Sequence, residues 1–252
     1  EAIERQSPGE LPLTIFVEDM EIVTLMTIGM DPERLALGYL KNQGLFNDIG
    51  SIARVVTDWE NQSVVVHTHN NDEVKQWREK QFKRIVTSGC GQGTLFADTL
   101  DSMDTVKLEP PHFKQSEYYQ WIAAVSKYNT LYRQAGSVHS CALIGDHKVL
   151  FHNEDVGRHN AADTIAGYMW LEGITGTNKV FYSTGRLTSE MVIKAAFMGI
   201  PTLISRSGAT HMGLEYAKRV GMTVIARARA KQFLVYNGSE RIDFDDVPPK
   251  RG

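Results

Sequence analysis

Two groups of residues in this sequence have the types and spacing to do chemistry. The first is Thr87-Ser88-Gly89-Cys90-Gly91-Gln92-Gly93-Thr94, where one thiol sits among three glycines and no large side chain but Gln92. Glycine tolerates positive φ and leaves the backbone unhindered, so the spacing predicts a mobile loop whose thiol a large partner can reach. Burial makes a thiol inert, whereas an exposed one beside basic groups is easily deprotonated, and the thiolate is the nucleophile. Lys83 and Arg84 lie a few residues upstream as sources of positive charge. The alternative is a glycine-rich turn that happens to carry a cysteine.

The second group is spread over four short stretches. These are Asn153-Glu154-Asp155-Val156-Gly157-Arg158-His159-Asn160, Ser183-Thr184-Gly185-Arg186, Ser205-Arg206-Ser207-Gly208 and Ala226-Arg227-Ala228-Arg229. Each brings arginine, and two add small hydroxyls and glycine. All four follow runs that read as strands, so they are expected at the carboxyl edge of an open α/β sheet, where ligands bind. Three precede helices, whose free N–H groups favour anions. Together they suit a phosphorylated ligand, with Asp155 available to a ring N–H or a ribose hydroxyl. The competing reading makes Asp155, Ser183 and Ser205 helix caps and the arginines surface ion pairs.

The elements that must position these groups follow in order. Leu13–Val17 and Ile22–Met26 predict a hairpin around Glu18-Asp19-Met20-Glu21, and Ala53–Asp58 with Ser63–His67 predict a second. Between them, Asp31-Pro32 opens a helix that Asp31 can cap and Gly44 ends. His67 and His69 share a strand face, yet no carboxylate or thiol at suitable spacing completes a metal site. Arg84–Val86 leads into the cysteine loop, and Pro110-Pro111 marks a domain boundary, giving 1-111 and 112-252. Phe113 to Ala135 reads as one helix, and Val138–Ile144 with Lys148–His152 as a hairpin. Helices at Arg158–Trp170, Ser189–Met198 and His211–Val220 then alternate with strands at Lys179–Tyr182, Thr202–Ile204 and Met222–Ile225. Such alternation implies right-handed crossovers and a parallel sheet covered by helices. Phe233–Tyr236 adds a last extended piece.

Composition narrows the classes. Of 252 residues, 27 are basic and 30 acidic, a net charge of −3 that argues against a general nucleic-acid binder. No apolar run approaches the ~18 residues that span a bilayer, and Glu1 to Glu10 lacks a signal peptide's apolar core. Two cysteines make neither a disulfide framework nor a cysteine zinc site, so a reducing, cytoplasmic home is expected. Cys141, among Val138, Ala142 and Leu143, reads as a small buried hydrophobe. No Walker phosphate loop, dinucleotide-binding turn or hydrolase elbow is present.

The run Glu154-Asp155-Val156-Gly157-Arg158-His159-Asn160-Ala161 resembles the FdhD (NarQ) family of formate dehydrogenase accessory sulfur carriers. The resemblance continues through Ser183-Thr184-Gly185-Arg186, Glu190-Met191-Val192, Gly199-Ile200-Pro201 and Ser205-Arg206-Ser207. In the N-terminal half it includes Thr24-Leu25-Met26, Glu33 to Leu40 and Ser88-Gly89-Cys90-Gly91, so it spans nearly the whole chain. It implies a sulfurtransferase in which a cysteine desulfurase hands persulfide sulfur to Cys90. Cys90 then passes it to a molybdenum or tungsten bis(guanine dinucleotide) cofactor, a transient ligand rather than a permanently bound one, for use by formate dehydrogenase. On this reading Asp155, Gly157, Arg158, His159, Asn160, Ser183, Thr184, Gly185, Arg186, Ser205, Arg206 and Ser207 hold the cofactor's nucleotide ends. The family's habit also implies a homodimer. The implied fold is a cytidine-deaminase-like three-layer α/β/α domain behind a smaller β-rich N-terminal domain. Zinc deaminase chemistry needs H-x-E with P-C-x-x-C, and the P-C-x-x-C half that supplies its cysteine ligands does not occur. One position departs: the family carries C-G-x-C-G in the loop, and here the second cysteine is Gly93. Cys90 would therefore act alone. A cofactor-binding chaperone in which Cys90 is not catalytic is the competing function, and a dithiol redox role lacks its C-x-x-C motif.

Overall fold

A computed structural model describes residues 7–70, 103, 105–230 and 232–246. The cysteine loop around Cys90, and with it the Arg84–Val86 strand, lies outside the described residues. Within them the protein is a mixed α/β fold of three sheets and six α-helices.

Both N-terminal hairpins form. Strands β1 (Leu11–Val17) and β2 (Met20–Thr27) pair antiparallel, as do β3 (Ile52–Asp58) and β4 (Ser63–Thr68). Parallel pairing of β1 with β4 joins them into one sheet in the order β2-β1-β4-β3. Alternate residues Leu13, Ile15 and Val17 of β1 and Val64 and Val66 of β4 are fully buried, because successive strand side chains point to opposite faces. Helix α1 (Pro32–Asn42) covers that apolar face with Leu35, Ala36 and Leu40. Its expected cap is absent: the Asp31 carboxylate instead accepts from Arg34 Nη1 at 2.8 Å. His67 Nδ1 lies 3.0 Å from Glu18 Oε2.

The second sheet has the order β11-β10-β9-β8-β6-β7. Its members are β6 (His139–Gly145), β7 (Lys148–Asp155), β8 (Val180–Ser183), β9 (Thr202–Ser205), β10 (Thr223–Arg229) and β11 (Gln232–Asn237). Strands β8, β9 and β10 are parallel, and β6 runs antiparallel to both of its neighbours, β7 and β8. One face packs under α4 (Arg158–Leu171), α5 (Ser189–Phe197) and α6 (His211–Val220), burying Cys141, Leu143, Phe181, Leu203 and Val224. The other, through Ala142, Ile144, Tyr182, Ile204 and Ile225, packs under α2 (Gln115–Tyr128). A two-stranded parallel sheet of β5 (Phe113–Lys114) and β12 (Ile242–Asp243) flanks α2.

The helix expected from Phe113 to Ala135 is broken. It starts after β5, stops at Tyr128, and resumes as α3 (Thr130–Ala135) beyond Asn129, whose ψ is 60°. The break has a cause outside the segment. Glu154, on β7, accepts from the backbone N–H of Leu131 at 2.9 Å and of Tyr132 at 2.7 Å, giving α3 an anionic N-terminal partner. Asn129 Oδ1 meanwhile accepts from Ser140 Oγ at 2.6 Å.

Helices α1 and α4 cross with their backbones touching. A Cβ on Gly38 would lie 1.7 Å from the Asp163 carbonyl oxygen, and one on Gly167 1.9 Å from that of Arg34. Only glycine fits at such a crossing. Helix α4 is thereby enclosed by sheet on one side and α1 on the other, which is why nearly all its residues are buried.

Candidate functional site

The strand directions bring the four stretches to one edge. Strand β7 is antiparallel to β6, so it points the same way as β8, β9 and β10, and all four end on the same side. The start of β6 lies there too, with His139 opposite Asp155 and Ser183 opposite Ser205.

The loops after β8 and β9 are copies of one another. In each, the strand-ending serine closes a tight turn: Ser183 Oγ accepts from Gly185 N and Ser205 Oγ from Ser207 N, both at 3.0 Å. Ser205 Oγ also donates to the Gly185 carbonyl at 2.7 Å, and Leu187 bridges to Ala209 in parallel. Thr184 Oγ1 accepts from Ser140 N at 2.9 Å. These hydroxyls hold the loops in place. The copies differ in how the following helix is capped. Thr210 caps α6 by accepting from Gly213 N at 3.2 Å, whereas Thr188, at the same place before α5, makes no cap bond and its Oγ1 is buried without a partner.

Asp155 is occupied as well. Its Oδ2 accepts from Thr27 Oγ1 and from Ile28 N at 3.3 Å, and its Oδ1 from Gly157 N and Asn160 Nδ2, each at 2.9 Å. Asn160 Nδ2 also donates to the Met26 carbonyl at 2.7 Å. This pair therefore fastens the end of β2 to the start of α4. Burial raises the Asp155 pKa, and the hydrogen bonds from Thr27, Gly157 and Asn160 oppose the rise.

Arg158 and His139 approach each other over Gly185, with Arg186 and His159 close enough to interact with them electrostatically. A Cβ on Gly185 would stand 3.1 Å from Arg158 Cδ and 3.3 Å from His139 Nδ1, so the missing side chain is what lets them close in. His159 is 7% exposed, and burial, with the cations Lys194 and Arg158 nearby, pushes its pKa down to about 3. His139 is held below the ordinary imidazole range by burial and by Arg158 and Arg186. Both rings are thus neutral near pH 7. His159 Nε2 lies 3.1 Å from Glu190 Oε2, but off the hydrogen-bonding direction. One helical turn along, Lys194 Nζ meets both Asp163 oxygens at 2.6 Å. Behind the cluster Cys141 is fully buried. Burial pushes its thiol up to about 12, and Sγ donates to Ser183 Oγ at 3.5 Å. It remains a protonated, inert thiol.

On the α2 side of the same edge lies a groove of about 790 Å³ bounded by Tyr119, Ile122, Tyr182, Arg206, Arg229 and Asp246. The Arg206 guanidinium carbon sits 5.6 Å from the centre of the Tyr132 ring. The groove combines aromatic faces with two guanidinium groups, a surface suited to a planar, anionic ligand.

The profile of the FdhD/NarQ family matches residues 8–243. The chain belongs to the FdhD/NarQ family. Relatives in this family named sulfur carrier protein FdhD include one from Bacillus licheniformis, 30% identical over 96% of this chain and 91% of its own. Another, from Bacillus subtilis, is 30% identical over 95% and 91%. A crystal structure from Desulfotalea psychrophila, described as a formate dehydrogenase accessory protein, superposes with a TM-score of 0.74 at 29% identity. It covers 93% of this chain and 89% of its own. Among the described residues of this FdhD/NarQ chain, no helix is long and apolar enough to cross a membrane.

Sequence reasoning placed Arg158, His159, Gly185, Arg186 and Arg206 at this edge and passed over His139, Thr188 and Glu190 as site residues. His139 was legible in principle. Once β6 and β7 are a hairpin, the residue starting β6 must stand beside the one ending β7.

Proposed function

We propose that this chain is a sulfur carrier for formate dehydrogenase, with Cys90 as the carrying thiol. The Cys90 thiolate attacks the outer sulfur of a cysteine desulfurase's persulfide. The desulfurase thiolate leaves and Cys90–S–S⁻ forms. In the second half-reaction that sulfur would pass to the metal of a molybdenum or tungsten bis(guanine dinucleotide) cofactor, the substrate, as the S–S bond breaks, Cys90 leaves as its thiolate and the reduced metal supplies the two electrons that turn the outer sulfur into sulfide. What supports this reading is one combination: a match to a sulfur-carrier family along nearly the whole chain, and a strand-end edge of arginines and aromatic rings suited to a nucleotide's phosphates and base. In this account Arg206 and Arg229 face the guanine nucleotide, while Asp155, Asn160, Ser183 and Ser205 keep the loops in register. In this reading the α/β half is cytidine-deaminase-like but lacks that family's paired cysteine ligands. The carrier works in the cytoplasm as a homodimer.

Intact mass spectrometry after incubation with a cysteine desulfurase and cysteine tests the first half-reaction. The wild-type chain is expected to gain about 32 Da, one sulfur atom, and Cys90→Ala to gain nothing. An unmodified wild type that still binds guanine nucleotide would point to the cofactor-binding chaperone instead.

A further inference from the structure

Among the described residues, ten buried side-chain nitrogen and oxygen atoms have no hydrogen-bond partner, and five belong to one neighbourhood: His139 Nδ1, Arg158 Nε, both ring nitrogens of His159, and Thr188 Oγ1. Unpartnered buried polar atoms are costly, so such a concentration signals a ligand rather than an accident of packing. Two helices begin there with no side-chain cap, α4 behind Gly157 and α5 behind Thr188. The first-turn N–H groups of α4 and α5 have no intrahelical acceptors, and they add partial positive charge. The sequence elsewhere shows what a finished cap looks like, since Thr210 closes the matching start of α6.

The charge balance narrows the ligand. Arg158 and Arg186 carry the fixed positive charge, while Lys194 is committed to Asp163 at 2.6 Å. The carboxylate of Glu190, 3.1 Å from His159, forms a negative wall on one side. A doubly charged phosphate would meet that carboxylate at close range, and its second charge would add to the repulsion. A large, weakly hydrated monoanion fits better. We propose that His139, Arg158, His159, Arg186 and Thr188 form a pocket for a sulfur-bearing monoanion, hydrosulfide or the outer sulfur of a persulfide, separate from the nucleotide groove beside Arg206. The orphaned atoms define the pocket. Only the identity of its occupant rests on the sulfur-carrier reading.

Bromide, a soft monoanion comparable in size to hydrosulfide and visible by anomalous scattering, is the probe. Crystals of the full chain soaked in sodium bromide are expected to show a peak bounded by Arg158, His139 and His159, and crystals soaked in inorganic phosphate none there. In solution, hydrosulfide is expected to shift the His159 ring-nitrogen resonances, with affinity falling about tenfold in Arg158→Gln as a charge-assisted hydrogen bond is lost. Thr188→Val, which removes no existing cap bond, is expected to weaken binding by roughly threefold to tenfold without changing the melting temperature. Phosphate in the pocket, a bromide soak with no peak there, or unchanged hydrosulfide affinity in Arg158→Gln would each overturn the assignment. Bromide binding as described, with a wild-type chain that never takes sulfur on Cys90, would leave the pocket standing and remove the sulfur-carrier reading alone.

Discussion

Replacing Gly38 by alanine is expected to lower the melting temperature by roughly 10 °C, equivalent to about 3 kcal/mol for a chain of this size. In an ordinary helix the same change would add stability, by up to about 1 kcal/mol, because glycine is the poorer helix former. Here the new Cβ would stand 1.7 Å from the Asp163 carbonyl and 2.6 Å from Gly167 N, both backbone atoms with nowhere to go. Helices α1 and α4 must move apart. The apolar cluster that α1 forms with the N-terminal sheet and Trp170 then loosens as a unit. Gly9→Ala is the matched control, since nothing lies within 4 Å of the added carbon. Thermal unfolding of the two variants beside wild type checks the sign. A Gly38→Ala chain as stable as wild type would contradict the close crossing.

Lys194→Met is expected to cost about 3–5 kcal/mol, the usual penalty for stranding one member of a buried ion pair. Asp163 is fully buried, and without Lys194 its carboxylate keeps, among the described residues, only Asn42 Nδ2, 2.7 Å from Oδ1. The loss should be recovered largely in the double variant Asp163→Leu/Lys194→Met, because the cost comes from the unpaired charge rather than from the pair's net strength. Urea unfolding of the single and double variants measures this directly. Equal loss in both would show that packing, not charge, dominates at this site. The pair also bears on the site. Asp163 lies one turn from His159 on α4 and Lys194 one turn from Glu190 on α5, so the buried bridge sets where the two helix starts stand relative to each other.

Much of this architecture was legible in the residues themselves. Period-two apolar runs marked the hairpins. Alternating strand and helix signals marked the parallel part of the large sheet, and with it the edge where the four stretches meet. What escaped was set by partners far away in the chain. The break at Asn129 depends on Glu154 reaching across to α3, and no helical periodicity between Phe113 and Ala135 can report that. Asp155 looked free to recognise a ligand, yet its oxygens are taken by Thr27 and Ile28, more than 120 residues earlier, and by its own turn. The serines of the two copied loops looked like ligand hydroxyls for the same reason, because short polar side chains serve turns and ligands alike. The arginines and histidines proved more informative. Long or aromatic polar side chains are rarely spent on closing a turn, and the unpartnered nitrogens that define the pocket are theirs.

The central claim is that sulfur travels through Cys90 to the cofactor of formate dehydrogenase, and following labelled sulfur tests it most directly. Desulfurase, ³⁵S-cysteine, the full chain and sulfur-free formate dehydrogenase would be combined, and the cofactor then extracted and counted. The account predicts label in the cofactor together with formate oxidation when the wild-type chain is present, and neither with Cys90→Ala. Equal labelling by the Cys90→Ala chain would contradict it.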